Sequence, residues 1–182
     1  MKIRLAHPSD AAQLLSIYRP FIENTAITFE TNVPSEKEFA ERIISYTKKY
    51  PWLVAEVNGI AAGYAYAVKH REREAYQWCV ESSVYVHEDF RGQGIAQQLY
   101  EKLFGLLKEM GFVNVYAGIT LPNEKSYQLH TKLGFTPVGI YEKIGFKNSS
   151  WHSVQWFVKA INEYADNPLP PKGIGSILHN LD

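Results

Sequence analysis

A short stretch in the middle of the chain carries residues that could hold a negatively charged ligand. An apolar, β-branched run ends in a polar turn, and residues 91–94, Arg-Gly-Gln-Gly, then lead into an amphipathic stretch at 95–110. This order predicts a strand, a loop and a helix. Gly92 and Gly94 let the backbone turn sharply and approach a ligand closely, and the first N–H groups of a helix point at an anion that docks there. With the Arg91 cation beside them, these residues predict a phosphate or pyrophosphate site.

The glycine spacing excludes two familiar kinds of nucleotide site. A dinucleotide-binding fingerprint requires glycine or alanine three residues after its second glycine, and Gln97 occupies that position. A nucleoside-triphosphate loop requires Gly-Lys followed by Ser or Thr, and this triplet occurs nowhere in the chain. When these residues are considered alone, a turn of purely structural use remains an alternative.

A second segment, residues 123–135, has polar side chains at helical spacing. Its sequence, Asn-Glu-Lys-Ser-Tyr-Gln-Leu-His-Thr-Lys-Leu-Gly-Phe, ends in a glycine that is typical of a helix C-terminus. Four side chains fall at three- and four-residue steps, and on a helix such positions share one face. They are Asn123, Ser126, Tyr127 and His130. An ordinary amphipathic helix with an asparagine N-cap is the alternative interpretation.

Size and composition narrow the class of protein. The 182 residues suit one domain with one hydrophobic core. Nineteen basic and 19 acidic residues give a net charge of zero, so no nucleic-acid partner is expected. The single cysteine excludes an internal disulfide framework and suits a reducing compartment. The chain has no signal-peptide pattern and no apolar run of membrane-spanning length, which predicts a cytoplasmic protein with no membrane partner.

Hydrophobic periodicity predicts strands and helices in mixed order, which indicates an α/β or α+β domain. The predicted strands are 2–6, 51–57, 60–68, 78–86, 114–119, 136–143 and 151–158. Helices are predicted after Ser9-Asp10 and after Pro34-Ser35, and at 95–110 and 123–133. We expect Pro20 to bend or stop the first helix, and residues 25–31 to form a short strand or a loop.

The C-terminal composition differs from that of the preceding chain. Residues 1–162 are predicted to form the domain, and residues 163–182, which contain Asn-Pro-Leu-Pro-Pro-Lys-Gly, to form a Pro-rich, mobile tail. No internal repeat or second domain is apparent in the sequence.

The two motifs together resemble those of the GNAT superfamily of N-acetyltransferases. Residues 91–96 resemble its acyl-CoA loop, Arg/Gln-x-x-Gly-x-Gly/Ala, and residues 123–135 its second cofactor segment. Further strings at 50–59, 81–86, 121–123 and 145–152 are similar to phosphinothricin acetyltransferases and their methionine sulfoximine-acetylating relatives. The similarity extends from about Ile3 to Lys159.

This resemblance implies a fold and a cosubstrate. The fold would be that of the acyl-CoA N-acyltransferases, with a central mixed, mostly antiparallel sheet that splays open after its fourth strand and is flanked by helices. The cosubstrate would be acetyl-CoA, and homodimers are expected. The residues expected to bind acetyl-CoA are Val84, Tyr85, Val86, Arg91, Gly92, Gln93, Gly94, Ile95, Ala96, Asn123, Ser126 and Tyr127. No metal site is expected.

Glu81 and His130 are the predicted catalytic residues. N-acetylation requires a base for the amine proton, which is taken directly or through water. Apolar neighbours around Glu81 would raise its pKa toward neutrality, and the resemblance implies a catalytic glutamate here. By the same resemblance His130 is an acid or proton relay for the thiolate, with a purely structural histidine as the alternative. The backbone N–H of Val86 is the inferred oxyanion donor.

The substrate side needs a cation for a carboxylate. Arg71 and Arg73 precede the catalytic strand and could form a bidentate clamp. The resemblance favours Arg73, and it implies that Phe29 and Glu30 form the opposite wall. We therefore expect acetyl transfer to the α-amino group of a small amino acid analogue of the phosphinothricin or methionine sulfoximine type. Acetylation of protein N-termini, lysines or other amines, and a non-catalytic CoA-binding module, are the alternatives.

Overall fold

A seven-stranded sheet forms the centre of the computed structural model, which describes residues 1–177. The strands are β1 Lys2–Leu5, β2 Trp52–Val57, β3 Ile60–Lys69, β4 Cys79–Val86, β5 Asn114–Thr120, β6 Thr136–Lys147 and β7 Ser150–Ala160. Their spatial order is β1-β2-β3-β4-β5-β7-β6. Within the described chain, β4 and β5 are parallel and the other neighbouring strands are antiparallel. The predicted mixed, mostly antiparallel sheet is therefore confirmed.

Helices cover both faces of the sheet. They are α1 Ala11–Asn24, α2 Glu36–Thr47, α3 Ile95–Met110 and α4 Glu124–Lys132. Helices α1 and α2 pack against one face of the sheet, and the core between them includes Trp52 and Tyr64. Helix α3 buries a second core against the opposite face, which includes Val80 and Val115. Burial of an apolar helix face on a sheet supplies most of the stability of such helices.

Two expectations for the N-terminal region are resolved by the structure. Pro20 does not stop α1, which continues to Asn24. Ile17 and Ile22 on either side of the proline are both buried, so packing of the apolar face offsets the backbone hydrogen bond that proline cannot make. Residues 25–31 form a loop rather than a strand.

The sheet opens between β4 and β5. Their parallel pairing comprises three residue pairs, from Cys79↔Asn114 to Glu81↔Tyr116. Beyond Glu81, β4 continues along β3 to Val86, whereas β5 continues along β7 to Thr120. The two strands thus separate in the direction of their C-terminal ends, as the resemblance implied.

The hairpin of β6 and β7 is longer than the sequence pattern predicted. Strand β6 reaches Lys147, and Asn148 and Ser149 form the turn with positive φ angles. The pairing register shifts between Tyr141 and Gly145, so the alternation of side chains is interrupted there. One surface of the hairpin leaves several large apolar side chains exposed. They are Val138, Ile140, Ile144, Phe146 and Trp151.

The described part of the predicted mobile tail packs against the domain. Ile174 and Ile177 are buried in the α3-side core, at the two ends of a short 3₁₀ turn. The backbone N–H of Lys172 donates to the Met110 carbonyl at 2.8 Å, and the Trp78 indole donates to the Leu169 carbonyl at 2.9 Å. Residues 169–177 thus contact the domain, residues 178–182 lie outside the described chain, and the mobility of the tail stays a prediction. The domain boundary at residue 162 stays a prediction.

Replacement of Ile174 by Ala tests whether this segment is part of the core. Ile174 is 4% exposed, and loss of a buried isoleucine side chain typically lowers the free energy of unfolding by about 2–5 kcal/mol. We expect Ile174→Ala to show this loss in urea denaturation. Leu169→Ala is the matched control, since Leu169 is 83% exposed and should change stability by less than about 0.5 kcal/mol. Equal effects of the two variants would show that the segment does not dock.

Candidate active site

The loop between β4 and α3 has the geometry expected of an anion cradle. After the 3₁₀ turn Glu88–Phe90, Gly92 and Gly94 adopt φ angles of 77° and 76°. These left-handed conformations favour glycine. Gly94 immediately precedes α3, so the chain enters the helix from a turn that leaves the first helical N–H groups facing outward.

Arg91 lies beside this loop, on its α1 side. Its guanidinium carbon is 5.4 Å from the centroid of the Phe21 ring in α1, which is cation–π geometry. The Phe21 ring in turn packs edge-on against Tyr85 at 5.1 Å. The cation is therefore held near the strand-to-helix turn, and its contact with a phosphate stays a prediction.

Backbone N–H groups of β4 point into the opening between β4 and β5. The His87 N–H donates to the Ala62 carbonyl of the neighbouring β3 side at 2.9 Å. In an antiparallel pair, the residues that face the partner strand with their hydrogen-bonding groups alternate. Given the register Gly63↔Val86, the amides of Val84 and Val86 point away from β3. They face the region that β5 has left.

A cavity lies at this opening and is lined by residues from both faces of the sheet. From the α3 side it is lined by Ser82, Tyr100 and His130, together with Asn123 and Ser126 of the α4 start. From the opposite side it is lined by Ser83, Gly118, Thr120 and Ile27. Of the residues predicted to bind acetyl-CoA, it therefore brings together Val84, Tyr85, Asn123 and Ser126.

His130 is buried on the α3 side of the cavity, with 3% of its surface exposed. Its Nδ1 lies 2.7 Å from the Ser126 carbonyl oxygen, and its Nε2 lies 3.3 Å from the Tyr100 hydroxyl. A carbonyl can only accept, so Nδ1 carries the hydrogen and the neutral ring accepts at Nε2. Burial lowers the pKa of His130, although its bond to Ser126 opposes this. The ring is thus neutral at pH 7.

The remaining residues of the second motif have different surroundings. The Asn123 side chain caps α4 by accepting from the Ser126 N–H at 3.2 Å, which is the helix-capping role of asparagine. The exposed Tyr127 ring packs edge-on against Phe157 at 5.4 Å rather than lining the cavity. Helical spacing therefore brings Asn123, Ser126 and His130 to the cavity and leaves the Tyr127 ring beside it.

Glu81 lies on the other face of the sheet from His130. Its neighbours Val80 and Ser82 point to the α3 side, where Val80 belongs to the core, and side chains of a strand alternate. The Glu81 side chain is 34% exposed. Burial raises the pKa of Glu81, and the positive charge of Arg71 opposes the shift. The two predicted catalytic residues are therefore separated by the sheet, and the cavity at the opening between β4 and β5 is lined from both sides.

His70 and Tyr100 belong to this surrounding but were not identified from the sequence. The His70 ring stacks on Tyr116 of β5, with ring centroids 4.3 Å apart and an angle of 3° between the planes. Its Nδ1 lies 3.6 Å from Oε2 of Glu81. The available signal was strand parity, since His70 continues the register of β3 opposite β4 and so shares a face with Glu81. Tyr100 was not identified because its position in α3 matches the periodic apolar face of the helix.

The two arginines predicted to form a clamp lie in different places. Arg71 acts electrostatically on Glu81, and its Nη2 is 3.4 Å from the Tyr141 hydroxyl. Arg73 instead lines a separate cleft with Lys49, Lys69 and Lys172. A 3₁₀ turn begins directly after Arg73 and redirects the chain. The structure thus brings Arg71 to Glu81 but does not bring Arg73 there.

The Phe29–Glu30 segment packs against the β6–β7 hairpin and α2. The Phe29 ring lies directly over Gly145, where a β-carbon would overlap the ring. Glu30 forms an ion pair with Arg42 of α2, with Oε1 and Nη1 2.6 Å apart. The buried Lys147 amine donates to the Thr28 carbonyl at 2.8 Å. The expected wall is therefore held on both sides, and the Glu30 charge is already paired.

Residues 1–177 contain neither a candidate metal site nor a candidate membrane-spanning helix. Among residues 1–177, no group of three or more His, Cys, Asp or Glu side chains could hold a metal ion. In the same part of the chain, no helix is both long enough and apolar enough to span a membrane.

Known proteins similar to this chain are acetyltransferases. A phosphinothricin N-acetyltransferase of Streptomyces viridochromogenes is 36% identical over 174 residues, which cover 96% of this chain and 93% of that protein. An L-methionine sulfoximine/L-methionine sulfone acetyltransferase of Salmonella typhimurium is 31% identical over 166 residues, which cover 91% of this chain and 97% of that protein.

Solved structures agree with these relatives. A GNAT superfamily phosphinothricin acetyltransferase from Sinorhizobium meliloti, in complex with acetyl-CoA, has a TM-score of 0.86 and 32% identity, covering 95% of this chain and 97% of that chain. A ribosomal-protein-alanine N-acetyltransferase from Brucella melitensis has a TM-score of 0.86 and 30% identity, covering 88% and 99%. The family model described as an acetyltransferase (GNAT) domain matches residues 3–166. The chain therefore belongs to the GNAT family of acetyltransferases.

Proposed function

We propose that this protein transfers the acetyl group of acetyl-CoA to the α-amino group of a small amino acid analogue of the phosphinothricin or methionine sulfoximine type. The observation that carries the proposal is the cavity at the opening of the sheet, which is lined by His130 on the α3 side and by Ser83, two residues after Glu81 in β4, on the other side. A thioester that enters from the α3 side can thus meet an amine from the opposite side. The names of the relatives support the substrate class.

The loop and the open edge of β4 are the proposed cosubstrate site. The N–H groups after Gly92 and Gly94 and the Arg91 side chain would hold the diphosphate of acetyl-CoA. The outward amides of Val84 and Val86 would hydrogen-bond the pantetheine arm and the thioester carbonyl. The Val86 N–H is the proposed oxyanion donor, since a fixed backbone dipole stabilises the charge that develops on the carbonyl oxygen.

In this proposal, Glu81 and the His130–Tyr100 pair act on different protons, because they lie on opposite faces of the sheet. The amine attacks the thioester carbon, a C–N bond forms and the C–S bond breaks. Glu81 takes the amine proton directly or through water, and its raised pKa suits a base near neutral pH. On the other side the thiolate leaves toward His130 and Tyr100. His130 is neutral there and accepts from the Tyr100 hydroxyl, so this hydroxyl must turn away from Nε2 to donate its single hydrogen to the thiolate.

The substrate carboxylate is assigned to Arg71 in this proposal. Arg71 is the cation that acts on Glu81, and a guanidinium can bind a carboxylate in bidentate fashion. The exposed Phe29 ring offers an apolar wall for the side chain of a small substrate. Glu30 supports that wall through its ion pair with Arg42.

A release assay for free CoA tests the function. Purified protein with acetyl-CoA should release CoA in the presence of L-phosphinothricin or L-methionine sulfoximine. A higher kcat/KM for peptides would instead favour protein acetylation, which is the activity named for the Brucella structure. If acetyl-CoA raises the Tm but no amine in a broad panel gives turnover, the chain is a non-catalytic CoA-binding module.

Glu81→Gln should lower kcat by about 10²-fold, because a positioned general base typically contributes at least that much. It should also make the protein more stable at pH 7. The pKa of Glu81 is higher in the folded protein than in the unfolded chain. Between these two pKa values the folded protein binds more protons, so the free energy of unfolding falls as pH rises through this range. An amide removes the buried charge.

Steady-state kinetics and urea denaturation at pH 7 measure both effects, with Glu41→Gln on the exposed side of α2 as the control. A fall in kcat of less than threefold would remove Glu81 from the role of base.

Gly94→Ala should weaken acetyl-CoA binding about 5- to 30-fold. An L-residue in the left-handed conformation costs about 1–2 kcal/mol, and the loop would have to rearrange. Gly105→Ala is the matched control, because Gly105 occupies an exposed position of α3 where an added β-carbon would meet nothing within 4 Å. It should leave binding unchanged and stabilise the helix by up to about 1 kcal/mol. Calorimetric titration with acetyl-CoA gives both affinities, and equal values would contradict the loop's role.

The exposed apolar surface of the β6–β7 hairpin supports a homodimer, which completes the proposal. Light scattering should give twice the chain mass of 20.8 kDa. The double change Ile144→Glu and Phe146→Glu should shift the protein toward monomer, because it puts charge into an apolar interface. Leu169→Glu alters an exposed apolar residue of another segment and serves as control. A monomeric wild-type protein would exclude this part of the proposal.

A further inference from the structure

The His70 imidazole has an unexplained feature for a group next to a proposed base. Its Nδ1 is buried and has no hydrogen-bond partner. A buried polar atom in this state destabilises the fold, and such atoms in folded proteins call for an explanation. Oε2 of Glu81 lies 3.6 Å away, slightly beyond hydrogen-bond distance. Contacts of this kind in unliganded enzymes are often long and tighten when substrate binds.

Aromatic contacts fix the orientation of the His70 ring, so that Nδ1 continues to face Glu81. It stacks in parallel on Tyr116 of β5 and packs edge-on against Trp156 of β7, with centroids 5.7 Å apart. Two strands thus restrict rotation of the imidazole. The side chain is 12% exposed, so water still reaches part of the ring. His70 is therefore a fixed group between the Glu81 carboxylate and solvent.

We propose that His70 receives the substrate proton from Glu81 and passes it to water, so that Glu81 and His70 act as a two-membered relay. This inference rests on the proposed acetyl transfer. First the N–H bond of the substrate ammonium breaks and an O–H bond forms on Glu81. Next that O–H bond breaks and an N–H bond forms at Nδ1 of His70, which had carried its hydrogen on Nε2. The carboxylate is regenerated, the imidazolium releases its Nε2 proton to water, and the hydrogen left on Nδ1 returns to Nε2 through solvent before the next turnover.

The electrostatics of the pair make this transfer reversible. Burial raises the pKa of Glu81 and lowers the pKa of His70, so the two pKa values move toward each other and neither group holds the proton as strongly over the other as the free side chains would. Arg71 lowers both pKa values. The other titratable groups around the pair and its stacking partners are Cys79, Tyr100, Tyr116 and Tyr141. Burial raises the pKa of Cys79, Tyr100 and Tyr116, so these three groups are uncharged at pH 7, which leaves Arg71 as the nearby fixed charge within this set.

The pH dependence of kcat tests the relay. Wild-type protein needs both members deprotonated, so its acidic limb should be steeper than a single titration. His70→Gln keeps a polar side chain but cannot carry the proton, and should lower kcat at least about tenfold, leave the KM for acetyl-CoA unchanged and reduce the acidic limb to one titration. His7→Gln, at the N-terminal 3₁₀ turn, is the control and should match wild type. In His70→Ala, added imidazole should restore part of kcat.

A kcat of His70→Gln within threefold of wild type, with the same acidic limb, would overturn the relay while leaving acetyl transfer intact. If wild-type protein acetylates no amine, the proposed function fails by itself. The pair is then examined by NMR titration of the His70 ring protons. Glu81→Gln should lower the His70 midpoint, because the carboxylate charge favours imidazolium. An unchanged midpoint would show that the two groups do not share a proton.

Discussion

Backbone pairing between β4 and β5 ends after three residue pairs, and the rest of the site depends on this limit. The edge of β4 beyond Glu81 presents amides that an adjacent strand would otherwise satisfy. An unsatisfied buried amide costs about 1–3 kcal/mol, so the opening favours a ligand that supplies carbonyl acceptors. The pantetheine arm of acetyl-CoA, with its two amides, has this chemistry. The same opening holds the cavity that is lined from both faces of the sheet.

The sheet also separates two ionisable environments. On the α3 side, burial keeps His130 neutral, and its two ring nitrogens are occupied by Ser126 and Tyr100. On the other side, Glu81 is less buried and lies close to a cation and to an imidazole. In the proposed reaction, a proton removed from the amine would therefore have its own exit and would not need to cross to the thiolate side. Because their environments are separate, the pKa of the Glu81 carboxyl and the pKa of the His130 ring can be shifted independently.

Much of this arrangement could be predicted from local patterns. The strands, the four helices and the glycine turn before α3 follow from periodicity and backbone preferences, which act over a few residues. The parity that places His70 beside Glu81 can be used only once the β3–β4 register is known. The separation of Arg71 from Arg73 depends on the turn after Arg73, which the sequence pattern does not indicate. The docking of Ile174 depends on a contact with a core formed far away in sequence. Long-range packing of this kind leaves no periodic signal.

The bond from Lys147 to the Thr28 carbonyl joins two regions that are 119 positions apart in the chain. Lys147 ends β6, and Thr28 precedes the aromatic ring that lies over Gly145. A loop that would otherwise tolerate insertions is thereby tied to the outermost strand of the sheet. If the proposed substrate site is correct, substitutions in the hairpin would shift the rim of the amine entrance, and selectivity would change without any replacement of a residue that touches the bound amino acid.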